Sequence, residues 1–336
     1  VKKIACISSG KFTYQTSEKP SLSEGKAILK VRSVGICGTD LHAFEGTQPY
    51  FSYPRILGHE IAAEVVEISD SSDFSIGDFV TVIPYFNCGK CIACRRRKPN
   101  CCTSISVFGV HEDGAMQEYI TVPVSSLIKK QGLTLDQLAL TEPLAIGYHG
   151  VKRAGVQAGD NVLVIGAGPI GLGIMEFVRL SGANVIAMDI NEHRLDFCLN
   201  TLHVPYAINA IQNPRESISE ITKGEFCTTV IDATGSLKAI NGGLDYVSHG
   251  GNYVLVGLQK EHFSFSHPEF HKRETTLMSS RNATKSDFEQ VMNVLSEGKI
   301  DASLFITHHI GFAQVATEFK ALLDPAKQVI KSIVDF

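Results

Sequence analysis

Val162-Leu163-Val164-Ile165 runs straight into Gly166-Ala167-Gly168-Pro169-Ile170-Gly171, and Asp189 closes the next apolar run, Ala183 to Met188. A buried-strand pattern, three glycines at this spacing, a helix-forming stretch from Leu172 to Ser181 and a second strand together make a βαβ unit. Each glycine has its own task. Gly166 permits the tight turn, Gly168 lets the backbone approach a pyrophosphate, and Gly171 allows close helix packing, with Pro169 and Ile170 completing the turn. The helix N-terminus adds unpaired N–H groups and the positive end of its dipole. Asp189 can accept hydrogen bonds from a ribose with free hydroxyls and would repel a 2′-phosphate, so the cofactor reads as NAD rather than NADP. Arg194, five residues further on, either stacks on an adenine or is a solvated helix residue.

Outward from this unit the texture divides. Strand runs at Thr229–Asp232 and Asn252–Gly257, each preceded by a plausible helix, extend a parallel sheet toward about residue 280. A helix from about Ser286 to Glu297, a helix over Ala313–Leu323 and a strand over Val329–Phe336 follow. Before about Ala154 the chain is β-dominated, with strand-like runs at Ala27–Val34, Glu60–Ile68 and Asp78–Ile83, the last after the turn signal Ile76-Gly77.

The 336 residues suit about two domains. With 31 Lys and Arg against 35 Asp and Glu, the net charge of −4 gives no global basic field for nucleic acid or anionic lipid. The longest apolar run, Asn161 to Gly173, is interrupted by Gly166, Gly168, Pro169 and Gly171 and is too short to span a bilayer. Val1 to Ile7 lacks a signal-peptide core. The expectation is a cytoplasmic protein that binds neither nucleic acid nor membrane.

Four of the nine cysteines crowd into Cys88-x2-Cys91-x2-Cys94-x7-Cys102, a spacing suited to four thiolates around a closed, structural zinc in a reducing compartment. Cys101 leaves the fourth ligand ambiguous. Arg95-Arg96-Arg97-Lys98, inside the same loop, reads as a nucleic-acid contact or as a solvated loop or subunit contact, and the absence of interleaved aromatics favours the second. A second constellation is dispersed: Gly35-Ile36-Cys37-Gly38-Thr39-Asp40-Leu41-His42, Gly58-His59-Glu60 and Glu142-Pro143-Leu144-Ala145 bring a thiol, imidazoles and carboxylates into the β-rich region.

In this order, with the four-cysteine lobe and the glycine turn, these motifs resemble the zinc-dependent medium-chain dehydrogenases, the alcohol, sorbitol and threonine dehydrogenase superfamily. The resemblance covers essentially the whole chain. It implies an α/β fold: a GroES-like β-rich catalytic domain, residues 1–147 and 282–336 with a structural zinc lobe at 86–103, and a doubly wound Rossmann NAD-binding domain, residues 148–281. It further implies two zinc ions per chain. Cys37, His59 and Glu142 would hold the catalytic ion, with Glu60 as an alternate ligand or a carboxylate beside it, and Cys88, Cys91, Cys94 and Cys102 the structural one. Thr39 and His42 would relay the proton. A homodimer or homotetramer is implied as well.

Within that superfamily, Gln48-Pro49-Tyr50-Phe51-Ser52-Tyr53-Pro54, Gly109-Val110-His111-Glu112-Asp113-Gly114, and Ser266 to Glu274 followed by Ser280-Arg281-Asn282-Ala283-Thr284 are similar to the bacterial L-galactonate and L-gulonate 5-dehydrogenases. That likeness implies oxidation of a polyhydroxy acid at C5 to the keto acid, by hydride transfer from a zinc-bound alkoxide to NAD. Oxidation of sorbitol, another polyol or L-threonine is the alternative. A substrate carboxylate calls for a cation, and Arg281 is the first candidate, with Lys272 and Arg273 behind it.

Overall fold

The computed structural model describes residues 1–48, 51–69 and 73–336. The chain divides into two compact units, Val1–Ala145 with Ala283–Phe336, and Ile146–Asn282. The helix Leu135–Ala154 carries the chain from one to the other.

The first unit is built on a seven-stranded sheet, with two two-stranded sheets, Lys2–Ser8 with Lys11–Thr16 and Tyr85–Phe86 with Ser106–Val107, beside it in the sequence. The strands of the large sheet run in the order Ile306–Gly311, Lys331–Asp335, Lys26–Ile36, Glu60–Ile68, Phe79–Val82 and Leu127–Ile128, and Tyr119–Pro123 also pairs with Lys26–Ile36. All pairings are antiparallel except that of Ile306–Gly311 with Lys331–Asp335. Leu29, Val31 and Val34 of the long strand pack with Ile61, Ala63, Val65, Val80 and Val122 in one core. Ile310, Val315, Phe319 and Val334 join that core, which places the C-terminal tail in this unit. The consequence for the site is direct: the last strand lies beside the strand that leads into Cys37.

The helix expected over Ala313–Leu323 is instead three short helical pieces, Phe312–Gln314, Val315–Glu318 and Phe319–Leu323. Tertiary packing wins over a continuous ladder here. Phe312 stacks on Phe336 and meets Tyr14 edge-on, while Phe319 packs against Phe12 and Phe44, and β-branched Val315 and Thr317 add little helix preference to resist these pulls.

The second unit is a six-stranded parallel sheet in the order Tyr206–Asn209, Asn184–Asp189, Asn161–Ile165, Cys227–Asp232, Val247–Leu255 and Thr276–Ser279. Numbered along the chain, that is the 3-2-1-4-5-6 order of a doubly wound nucleotide-binding fold. Val162, Leu163 and Val164 are buried on both faces, so the strand reads as a continuous apolar run instead of an alternation. The strand order reverses between Asn161–Ile165 and Cys227–Asp232, and a crevice for a ligand opens at such a reversal, at the carboxyl ends of the strands. Among the described residues no helix is long and apolar enough to cross a membrane.

Candidate metal centre and nucleotide turn

Cys37 immediately follows the strand Lys26–Ile36 and is the N-cap of the helix Gly38–Glu45, while His59 immediately precedes the strand Glu60–Ile68. Asp40 ties the two together. Its Oδ2 accepts the Cys37 backbone N–H at 2.9 Å and its Oδ1 accepts that of Gly58 at 3.2 Å. The same Oδ1 stands 3.8 Å from His59 Nδ1, an atom that is buried without a hydrogen-bond partner. A carboxylate behind the imidazole is the arrangement that fixes the ring of a metal-binding histidine. The loop that bears His59 is clamped from outside: Gly114 N–H donates to the Ile56 carbonyl and Ala115 N–H to that of Gly58, and a Cβ on Gly114 would stand 2.4 Å from the Gly58 oxygen. The Gly109–Gly114 segment is thus a buttress for His59.

The donor atoms of Cys37, His59 and Glu60 lie within 4.8 Å of one another. Glu142 stands outside that group; its carboxylate accepts a hydrogen bond from the buried Tyr85 hydroxyl. Burial pushes the Glu142 carboxyl up to about 7, while His59 pulls the other way. Burial alone would lower the His59 pKa, yet the acidic Asp40 and Cys37 hold it well above the ordinary imidazole value. A thiol, an imidazole and two carboxylates around a site with this strong preference for positive charge fit a divalent zinc ion in chemistry and in field. The buried base facing them, Lys331, donates to both oxygens of Glu60. Asp40, Tyr85 and Lys331 had no role in the sequence reading. Asp40 lies inside a quoted motif, but Tyr85 and Lys331 carry no local signal; strand register brings Lys331 here.

The second cluster is complete: Cys88, Cys91, Cys94 and Cys102 place their sulfurs within 4.8 Å of one another, and Cys101 is exposed outside it. The pairs Cys91–Cys94 and Cys88–Cys102 stand 3.5 Å apart. Zinc–sulfur bonds of about 2.3 Å give a tetrahedral edge of about 3.8 Å, so an ion fits with small adjustments. Backbone amides point at the sulfurs, from Cys88 and Ser104 to Cys102 and from Cys94 to Cys91. Those of Cys94 and Thr103 lower the Cys91 thiol to about 5. Arg95, in the neighbouring basic run, donates to the Lys90 carbonyl within the same loop.

In the second unit, Gly166 has a φ of +100°, the left-handed region that favours glycine. A Cβ on Gly171 would lie 1.8 Å from the Gly166 oxygen, whereas one on Gly168 would meet nothing closer than Arg194 Nη1 at 3.8 Å. Gly171 therefore serves packing, and Gly168 leaves a cradle. The helix Pro169–Leu180 has no side-chain cap and no acidic residue in its first turn, so its positive end is available to a pyrophosphate. Asp189 ends the strand Asn184–Asp189; it accepts the Ala167 N–H at 2.6 Å and the Asn191 N–H at 2.9 Å, which locks the turn to the neighbouring strand. Arg194 stands 4.0 Å from Asp189, at the mouth of the turn. Gly171→Ala is expected to weaken NAD binding by at least about tenfold, because the Cβ must push the turn open; calorimetric titration checks this, and wild-type affinity would show that the turn gives way freely.

The remaining candidates scatter. Thr39 is half-buried and His42 exposed on the helix Gly38–Glu45, with His42 Nδ1 3.5 Å from Glu45 and 3.3 Å from Thr47 Oγ1. Arg273 belongs to the architecture instead of a substrate pocket: its Nη1 donates to the carbonyls of Leu244 and Val247 at 3.0 and 2.9 Å. Lys272 and Arg281 are exposed in the second unit. Pro49 and Tyr50 of the Gln48–Pro54 segment lie outside the described residues.

Comparison with known proteins agrees with this geometry. Residues 23–132 match the alcohol dehydrogenase GroES-like domain and residues 169–297 the zinc-binding dehydrogenase domain. L-galactonate-5-dehydrogenase of Escherichia coli K12 is 41% identical over 334 residues, which cover 99% of this chain and 98% of that protein. A sorbitol dehydrogenase of Halalkalibacterium halodurans is 29% identical, covering 93% of each. The crystal structure of the alcohol dehydrogenase rspB from E. coli CFT073, complexed with NADH, is 30% identical with a TM-score of 0.93, covering 100% of this chain and 99% of that one. With both domain types in sequence, two clusters of metal-ligand chemistry and a dinucleotide turn at the sheet's reversal point, the chain belongs to the zinc-binding alcohol dehydrogenase family of oxidoreductases.

Proposed function

We propose that this protein catalyses the NAD-dependent oxidation of a secondary alcohol of a sugar acid, L-galactonate or L-gulonate at C5, to the keto acid. The observation that carries the chemistry is the Cys37–His59 cluster tied by the buried Asp40. The substrate class rests on the 41% identity to L-galactonate-5-dehydrogenase over nearly the whole of both chains.

Cys37, His59 and Glu142 would hold the catalytic zinc, and the four-cysteine lobe a structural one. A catalytic zinc acts as a Lewis acid that eases loss of the alcohol proton. Bound NAD would supply the two-electron acceptor for the hydride, so oxidation of the alcohol to a carbonyl releases one proton. This chain must then carry that proton away. Thr39 and His42, three residues apart, are neighbours on one face of the helix Gly38–Glu45; Thr39 is half-buried and the His42 side chain is 62% exposed. Thr39 accepts the hydroxyl proton and passes one on, and His42 delivers it to water.

Gly166, Gly168, Pro169, Ile170 and Gly171 seat the pyrophosphate, and Asp189 receives the ribose hydroxyls and disfavours a 2′-phosphate. Arg194 offsets part of that repulsion, so some use of NADP accompanies the preference for NAD. Arg281 is assigned to the substrate carboxylate. The cysteines, all free, fit a reducing cytoplasm.

The test is NADH formation across aldonic acids, polyols and L-threonine. L-galactonate or L-gulonate is expected to exceed sorbitol by about 10- to 100-fold in kcat/KM, the worth of a charge-assisted hydrogen bond to the carboxylate. The likeness to a sorbitol dehydrogenase supports a polyol as the second reading. A preference for sorbitol would establish it, and turnover confined to threonine would refute both.

A further inference from the structure

We propose that His267 and His271, one turn apart on the helix His267–Arg273, form a surface site for a further divalent ion of the imidazole-binding class, Ni²⁺, Cu²⁺ or Zn²⁺. The site belongs to the second unit, whereas both clusters described above belong to the first. Its two histidines have no part in the oxidation proposed above.

The helix is short, yet both of its ends are defined. Pro268 stands in the first turn, where its fixed φ suits a helix start and its missing N–H costs nothing, and Glu274 at the C-cap has a φ of +51°, which stops the helix. Residues four apart on a helix are neighbours, with Cβ atoms about 5–6 Å apart. The two imidazole rings stand 6.0 Å apart between centroids with their planes at 52°, so they leave the helix side by side instead of splaying.

The anchoring of the other face turns this one outward. Phe270 packs against the core of the second unit, and Arg273 donates to the carbonyls of Leu244 and Val247 while its Nη2 stands 3.4 Å from Glu269. Glu269, Phe270 and Arg273, spaced by three and four, share one side of the helix, and His267 and His271 fall on the far side. Both histidines are exposed. The helix cannot roll to bury either of them without drawing Phe270 out of the core and breaking the hold of Arg273 on two carbonyls.

The donors select the ion. Neutral imidazole is the commonest protein ligand for zinc, copper and nickel, whereas magnesium and calcium take oxygen. Two ring nitrogens from one turn chelate a zinc ion at about 2.0–2.1 Å each, with water completing the shell. Rotation about the side-chain bonds brings the nitrogens together at little cost, because both rings lie in solvent. With two protein donors against the four of the cysteine lobe, this position binds more weakly, so it fills last and empties first. An ion here joins the first and last turns of a helix too short to be stable alone, and stiffens the segment that leads into the edge strand Thr276–Ser279.

Nickel chloride titrated calorimetrically into the purified, zinc-loaded enzyme is expected to fill this site, and His267→Ala and His271→Ala are each expected to weaken that binding by about tenfold or more. Magnesium chloride should give no binding there. Combining His271→Ala with Lys272→His restores the number of histidines but moves one around the helix, and should not restore affinity. Hydrogen exchange places the ion: nickel should slow exchange in residues 267–274 of the wild type and leave both single variants unchanged. Metal analysis should find the zinc content unaltered by nickel, and NADH formation without nickel should be the same in both variants as in the wild type. Wild-type nickel affinity in either single variant, recovery in the double variant, or nickel uptake matched by loss of zinc with no protection of residues 267–274 overturns the site. None of these readouts uses the alcohol substrate, so an enzyme inactive on every sugar acid would refute the proposed oxidation and leave this test intact.

Discussion

Replacing His59 with alanine is expected to remove one of two zinc ions per chain and to lower kcat/KM by about 10³-fold or more. The imidazole is the neutral ligand of its cluster, and without it the ion is left with one sulfur and the carboxylates. A Lewis acid supplies several kcal/mol of transition-state stabilisation, and 10³-fold corresponds to about 4 kcal/mol. Asp40 also loses its partner while it stays fully buried, where burial already raises its pKa against the opposing pull of His59. Metal analysis with NADH formation checks the prediction, and NAD titration reports whether the second unit stays folded. Two zinc ions retained, or a loss below tenfold, would remove His59 from the centre.

The second large effect lies in the four-cysteine lobe. Cys91→Ala is expected to release the other zinc and expose residues 86–103 to proteolysis, while NAD binding by the second unit survives. Little apolar surface holds this lobe: none of the residues in its short helix Ile92–Arg95 is buried, and Ile92 is 54% exposed. Metal binding, worth about 10–16 kcal/mol in small zinc modules, must therefore supply its folding energy. If only about 3 kcal/mol of that reaches the whole unit, Tm falls by about 6–12 °C. Calorimetry and limited proteolysis read the outcome, and a lobe that stays protease-resistant without its zinc would show that packing suffices.

How far these residues were legible depends on how local their chemistry is. The glycine turn, Asp189 and the four cysteines announce themselves by spacing, because one loop or one βαβ unit contains the whole device. Cys37 and His59 are legible as motifs, but what joins them is Asp40, whose carboxylate reaches two backbone amides only once the helix Gly38–Glu45 has formed. Lys331 was invisible for a different reason: a lone lysine in a strand has no pattern of its own, and register across three strands decides where its end arrives. Tyr85 lies in a two-residue strand, too short to show any pattern. Arg273 shows the converse. It looked available for a carboxylate, and backbone carbonyls had already claimed it. Among the strands, Tyr206–Asn209, Thr276–Ser279 and Ile306–Gly311 escaped notice because short runs at or near sheet edges alternate too briefly to stand out.

The place of Lys331 bears on how the molecule is made. Its strand is laid between Ile306–Gly311 and Lys26–Ile36, so one sheet is drawn from segments on both sides of the nucleotide-binding unit in sequence. On the ribosome, the nucleotide-binding sheet emerges whole and is free to close early, while the early β-strands must wait with Glu60 lacking its counter-charge. Only when translation has passed Lys331–Asp335 does the waiting segment gain that neighbour, which makes competence for metal loading follow the synthesis of the nucleotide-binding sheet.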